Sequence, residues 1–312
     1  MHKRSTPWLF AICALLPPAF TGNSPAYGCL AVAGNGIAIR IASEEAVIIW
    51  DAAHHREDFI RRATFQTQAK NFGFMVPTPT VPTLAEADPA VFPLLEHMIR
   101  PMQRASLHAG LEKTKAASVP TGVQVLHTQQ VAGYQAVVLA ADNTKALTRW
   151  LKSHGYTSSP QDAAWLTPYV QAHWKITAFK IAKPDPTAPA VTSSLVRMSF
   201  ATNEPFFPYR EPASNAITRG TPSPRLLRVF LLANDPMRGR FKAAQADGQW
   251  PGTVVGINQL PDYQRGLIAR QSALVPSQLP SRLYLTTFED HSSPRPGISD
   301  VIFRAVPTGK YP

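Results

Sequence analysis

A chain of 312 residues that is 45% hydrophobic and 16% charged can bury a sizeable core, in one large or two modest domains. Its 30 prolines are scattered, which excludes a single low-complexity tract and asks for many ordered turns. The net charge of +11 is spread out, with no dense basic run and no basic–aromatic interleaving. That excludes nucleic acid as the expected partner and leaves anionic surfaces and polymers.

The chain opens as an export signal. Lys3 and Arg4 supply a positive start, and Trp8 to Leu16 (WLFAICALL) is an apolar run broken by Pro17 and Pro18. A spanning helix needs roughly 20 apolar residues, so this run is too short to cross a bilayer. Ala26 and Gly28 are the small residues a signal peptidase needs before the cut. Residues 1–28 are therefore read as a signal peptide, with cleavage between Gly28 and Cys29. A cut near Gly22 is the alternative, and residues 29–312 form the globular region with a possible internal boundary near residues 175–190. Lipidation of Cys29 is disfavoured: Ala26 and the bulky Tyr27 do not fit the usual site, and the apolar run ends well before it. Cys13 leaves with the signal, so Cys29 has no intramolecular disulfide partner. No later run is long enough to span a membrane, so the expectation is a periplasmic or extracellular, soluble protein.

Along the mature chain, GIAIRIA (Gly36 to Ala42) and AVIIWD (Ala46 to Asp51) predict two strands, and DFIRRATFQT a third beyond a hairpin at DAAHHRED. NFGFMVP predicts a strand with Phe72, Phe74 and Val76 on one face. Pro77, Pro79 and Pro82 predict an extended crossing outside any central strand. Helical spacing from Asp88 to about Met102 predicts a helix, although Pro93 conflicts with its first turn. VQVLHTQ and YQAVVLA predict a strand pair around Gly133. Asp142 or Asn143 then caps a helix stopped by Gly155. Ser159, Pro160 and Asp162 open a third helix, kinked or split at Pro168 and ending near Trp174. Beyond Lys175, the segments WKITAFKIA, SLVRMSFAT, RLLRVFLLA, RLYLTTFE and DVIFRAV predict strands between loops. The sum is an α+β fold with mainly antiparallel sheet and a central group of about three helices.

The chain carries no G-x-S-x-G, H-E-x-x-H or phosphate-loop motif, and neither cofactor nor metal is implied. HHRED (His54 to Asp58) is the most polar cluster. Adjacent residues in an extended hairpin diverge, so a solvated tip is favoured over a metal site. FEDH, with Glu289 and His291, reads as an acid–base group or as a polar turn. Trp150, Trp165, Tyr169 and Trp174 form either a saccharide-stacking platform or, as favoured, core, and His173 is read as structural.

Several stretches together resemble the DUF2330 family of exported bacterial proteins. They are EEAVIIWDAAHHREDFIRRATFQTQAKNFGFMVPTPTVP, ALTRWLKSHGY with AWLTPYVQAHWKITAFKI, VRMSFATNEPFFPYR, and YLTTFED with DVIFRAV. The resemblance implies export and a shared fold, and carries over no functional residue. Members of this kind often hold a Cys pair near the mature start, and Cys29 has no such partner. The leading expectation is a non-enzymatic envelope binding module for an envelope protein or anionic polymer. Whether it is an enzyme stays open, leaning against. The alternatives are an extracytoplasmic hydrolase with an unfamiliar site and a periplasmic assembly factor.

Overall fold

The computed structural model describes residues 30–33, 37, 39–99, 122–156, 158–182, 185, 187–211, 225–242, 249–292 and 299–306. The signal segment, the Gly28–Cys29 bond, Pro101 and Met102 lie outside them. The architecture is α+β, and the sheets are antiparallel except for one parallel pair. No helix of the described residues is long and apolar enough to cross a membrane.

A five-stranded sheet joins β1 (Leu30–Ala33), β4 (Asn71–Thr78), β8 (Lys175–Ala182), β7 (Tyr134–Ala141) and β6 (Val123–Val131), in that spatial order. The larger sheet runs β14 (Thr253–Gln259), β15 (Tyr284–Asp290), β12 (Leu227–Ala233), β2 (Ile39–Asp51), β3 (Arg56–Thr67), β10 (Val196–Ala201), β5 (Thr83–Glu86). β9 (Ala190–Thr192) also pairs with β3, and β12 runs parallel to β2. A small third sheet holds β11 (Phe206–Phe207), β16 (Val301–Ala305) and β13 (Met237–Phe241).

Strand alternation builds the layers. On β3, Phe59, Ala63 and Phe65 face inward to a core shared with Phe72, Phe74 and Phe179 of the five-stranded sheet and with Phe207 and Phe303 of the small one. Ile60 faces the other way, into a second core with Val47, Ile49, Phe230 and Leu285. That outer core is covered by α1 (Val91–Ile99) through Phe92 and Leu95, and by α4 (Asp262–Gln271) through Ile268. The outer face of the five-stranded sheet, with Met75, Leu139 and Ile176, is covered by α2 (Thr144–Ser153) and α3 (Pro160–Gln171) through Leu147, Leu151, Trp165 and Leu166. The four helices thus form two pairs on opposite outer faces instead of one central group. The reason is that each of the two larger sheets has an apolar outer face of its own to bury.

The two strands predicted at Gly36 to Ala42 and Ala46 to Asp51 are one strand, β2. The polar residues between them do not break it. A bulge between Ile41 and Ser43 shifts the alternation, so that Ile39 and Ile41, then Glu44, Ala46, Ile48 and Trp50, share the inner face. Glu44 is only 1% exposed and accepts from Arg61 Nε at 2.5 Å and from Arg225 Nη2 at 2.9 Å. Arg225 Nη1 also donates to Glu211 Oε1 at 3.0 Å. Two carboxylates and two guanidiniums are thereby buried between the sheets, with Arg61 over the Phe74 ring at 5.6 Å.

Helix α1 begins at Val91, which resolves the conflict at Pro93: the proline sits in the first turn, where no intrahelical donor is required. Asp88 Oδ1 accepts from Ala90 N at 2.9 Å just ahead of it. Helix α3 runs unbroken through Pro168, opened by the predicted capping box of Ser159 and Asp162, and ends at Gln171. Pro77 does lie in β4, opposite Ile176 of β8; among the described residues β1 pairs with β4 only from Phe72 to Met75, so on that side Pro77 has no described partner. Strands β13 and β14 and helix α4 occupy segments read as loop.

Candidate functional site

The site is built where the covering helices stop short. Helix α2 is capped by Asn143, whose Oδ1 accepts from Ala146 N at 2.8 Å. It ends in a Schellman turn: Gly155 has φ +79, its N–H bonds Lys152 O, and Tyr156 N bonds Leu151 O at 2.9 Å. That turn lays the Tyr156 ring directly on β4 at Gly73. A Cβ on Gly73 would meet Tyr156 Cε1 at 2.5 Å, so only glycine admits the ring. Beyond Tyr156 none of the described residues covers the outer face of the sheet.

Strand register then lines up residues distant in sequence. Gly73 pairs with Lys180, Lys180 with Gln135, and Gln135 with Gln130. The four residues form one row across β4, β8, β7 and β6. Three strand spacings make the row about 14 Å long. The row floors a half-open groove of about 740 Å³, flanked by Gln68, Lys70 and Asn71 on one side and Tyr156 on the other. The volume is within the range of ligand sites. The far end of the row closes on the two-residue hairpin turn Ala132–Gly133, with φ of +50 and +76, as a type I′ turn requires.

The electrostatics of the groove are one-sided. Lys70 and Lys180 line it, and among the described residues no carboxylate does. Lys180 Nζ lies 5.2 Å from the Tyr156 ring centroid, which holds the ammonium at the wall. Burial pushes the Tyr156 hydroxyl up to about 12, so that wall stays uncharged. The side chains of Lys70, Asn71, Gln130 and Gln135 are exposed and have no hydrogen-bond partner among the described residues. Gly73→Ala is expected to cost about 1–3 kcal/mol of stability by overpacking. Urea titration checks this, and the cost should shrink in a Tyr156→Leu background, where the clash is gone.

The polar clusters named from sequence go elsewhere. His54 and His55 sit on the exposed β2–β3 turn, where His54 Nδ1 is 2.7 Å from Asp51 Oδ2. Among the described residues no three His, Cys, Asp or Glu side chains gather to hold a metal. Glu289 pairs with Arg228 at 2.7 Å and His291 at 3.3 Å. Burial resists its ionisation, but these hydrogen bonds and charges outweigh it and lower its pKa. Asp290 is a buried acceptor for Tyr209 at 2.6 Å and Trp250 Nε1 at 3.2 Å. Trp165 and Tyr169 are core, and Trp150 stacks on His154 at 3.8 Å. Exposed His173 has φ +58 and closes the turn after α3. Trp174, by contrast, lines a cleft.

The solvated-tip reading of HHRED holds for His54 and His55 but not for Glu57 and Asp58, which are 0% exposed on β3. Glu57 is wholly buried on the inner face of β3; burial raises its pKa well above the usual range, against a hydrogen bond from Phe206 N to Oε2 at 2.9 Å. Its Oε1 has no hydrogen-bond partner among the described residues. Asp300 drew no notice in the sequence. Its pKa is likewise raised by burial, although Tyr169 Oη donates to it at 2.8 Å and Arg210 N at 3.2 Å.

No curated protein matches this sequence. Among solved structures there is a likeness to the crystal structure of baculovirus P35, at 9% identity and a TM-score of 0.34, covering 72% of this chain and 76% of that one. The family model described as "Uncharacterized protein conserved in bacteria (DUF2330)" matches residues 24–271, and the chain accordingly belongs to the DUF2330 family.

Proposed function

We propose that residues 1–28 are removed on export and that the remaining chain is a periplasmic or extracellular binding module, not an enzyme. Its ligand is an anionic polymer lying in the groove beside Tyr156. The observation that carries this reading is the in-register row Gly73–Lys180–Gln135–Gln130, flanked by Lys70, with no acid among the described residues that line the groove. Lysine ammoniums attract carboxylate or sulfate groups, and primary amides hydrogen-bond the backbone or hydroxyls between them. A half-open trough about three strand spacings long suits a segment of extended chain better than a compact metabolite. The overall charge of +11 favours the encounter with such a polymer.

Two measurements test the proposal. Polygalacturonate and poly-glutamate, titrated at low and high salt, are expected to bind more weakly as salt rises. The double variant Lys70→Gln, Lys180→Gln is expected to weaken binding about tenfold, two exposed charge contacts contributing up to about 1 kcal/mol each. Unchanged affinity in that variant overturns the groove assignment. Export is tested separately by N-terminal sequencing of protein recovered from cell fractions. A new terminus at or near Cys29 outside the cytoplasm is expected, and an intact Met1 in the cytosol overturns the address.

A further inference from the structure

A second cleft opens at the other end of the same strand pair. The groove lies by Asn71 and Ala182; this cleft lies just past Thr78 and before Lys175, at the far ends of β4 and β8. Eight residues of strand separate the two by about 25 Å. The cleft is half-open, about 310 Å³, and its lining includes Trp174, Phe206, Asn203, Glu204, Lys242 and Asp300. That volume is at the small end of ligand sites.

Its chemistry is the reverse of the groove's. Trp174 and Phe206 present aromatic surface, with ring centroids 5.0 Å apart and crossed at 66°. Every charge among the residues just named is met by another. Lys242 Nζ is 3.8 Å from Glu204 Oε1 and 5.6 Å from the Trp174 ring centroid. Arg304 Nη2 approaches Glu204 Oε2 at 2.6 Å. Asp300 is buried, hydrogen-bonded to Tyr169 and to the Arg210 amide, and burial favours its neutral form. The exposed Asn203 amide has no hydrogen-bond partner among the described residues.

The geometry points to a neutral saccharide as the ligand of this cleft, with one pyranose ring against Trp174 and its hydroxyls on Asn203, Glu204 and Lys242. A compensated set of charges offers no net attraction to an anion or a cation, but it offers many donors and acceptors to hydroxyl groups. An apolar ligand would strip water from Lys242, Glu204 and Asn203 without replacing it. A sugar ring, apolar on its C–H face and polar at its rim, satisfies both parts of the lining. The saccharide-stacking alternative raised by the aromatic cluster thus applies to Trp174, while Trp165 and Tyr169 are spent on the core.

The test uses the full chain with nitrogen-labelled indoles. The Trp174 resonance is identified as the one missing from Trp174→Phe. It is expected to shift saturably with at least one of cellotriose, maltotriose and chitotriose, and not with putrescine or citrate. The variant Asn203→Ala, Lys242→Ala alters only exposed side chains, and its affinity should fall about tenfold or more. Lys70→Gln with Lys180→Gln should leave this binding unchanged, which keeps the outcome separate from that of the groove. Absence of a shift with all three trisaccharides at millimolar concentration overturns the proposal. So does a larger shift with putrescine or citrate, or full affinity in the Asn203, Lys242 variant.

Discussion

Glu44→Ala is expected to lower the stability of the fold by about 3–5 kcal/mol, read as a shift in the urea midpoint at unchanged slope. Glu44 stands between two guanidiniums, each with 5% of its side chain exposed, and bonds both. Removing the carboxylate takes a buried bonding partner from both Arg61 and Arg225, in a layer walled by Phe65 and Phe74. An uncompensated buried cation cannot recover its hydration, and that penalty, rather than the loss of two bonds, sets the size of the effect. The comparison that isolates this cause is Glu44→Leu combined with Arg61→Met, Arg225→Met and Glu211→Leu. If desolvation dominates, replacing all four charges at once should cost less than Glu44→Ala alone. A loss below about 1 kcal/mol for Glu44→Ala would mean that water reaches the quartet.

The same quartet explains which parts of the fold were legible in the sequence. Local signals were sufficient where the cause was local: the Asn143 cap, the Ser159–Asp162 capping box and the Gly155 stop each act within a few residues. Reading β2 as two strands failed because Ser43, Glu44 and Glu45 look like a break unless their partners on β3 and before β12 are known. β14 escaped because it is an edge strand with little buried side chain, and α4 because Gly266 interrupts it and Pro261 gives it no side-chain cap. The one central group of helices failed for a wider reason: periodicity shows that a helix has an apolar face, not which sheet receives it. The groove was invisible because Gly73, Gln130, Gln135 and Lys180 become neighbours only through register. Two signs of it were nonetheless present. Gly73 between two phenylalanines marks a close approach to the strand, and Lys180 is a charge set between the apolar residues Phe179 and Ile181.

Glu57→Gln is expected to make the protein more stable than the parent at pH 8, with the advantage vanishing in acid. The carboxyl is fully buried, with Trp50 and Phe200 opposite it on the neighbouring strands. Burial is the main cause of its raised pKa, the adjacent Asp58 adds to it, and the Phe206 amide only partly offsets them. The folded state therefore holds a proton that the unfolded chain releases near pH 4.3. Below that pH both states are protonated and the contribution of Glu57 to stability is fully present. As pH rises towards the folded value, the unfolded chain ionises and the native one does not, so stability declines; above the folded value the loss is complete. Glutamine has no such titration, so the difference between variant and parent should open from about pH 4.3 upward and then level off. Asp300 titrates in the same direction and is present in both proteins, so it cancels in the comparison. Urea midpoints of the two proteins across pH 3 to 9 supply the measurement. A difference that stays flat across that range, or that grows towards acid, would show that Glu57 is ionised in the fold and paired with a cation.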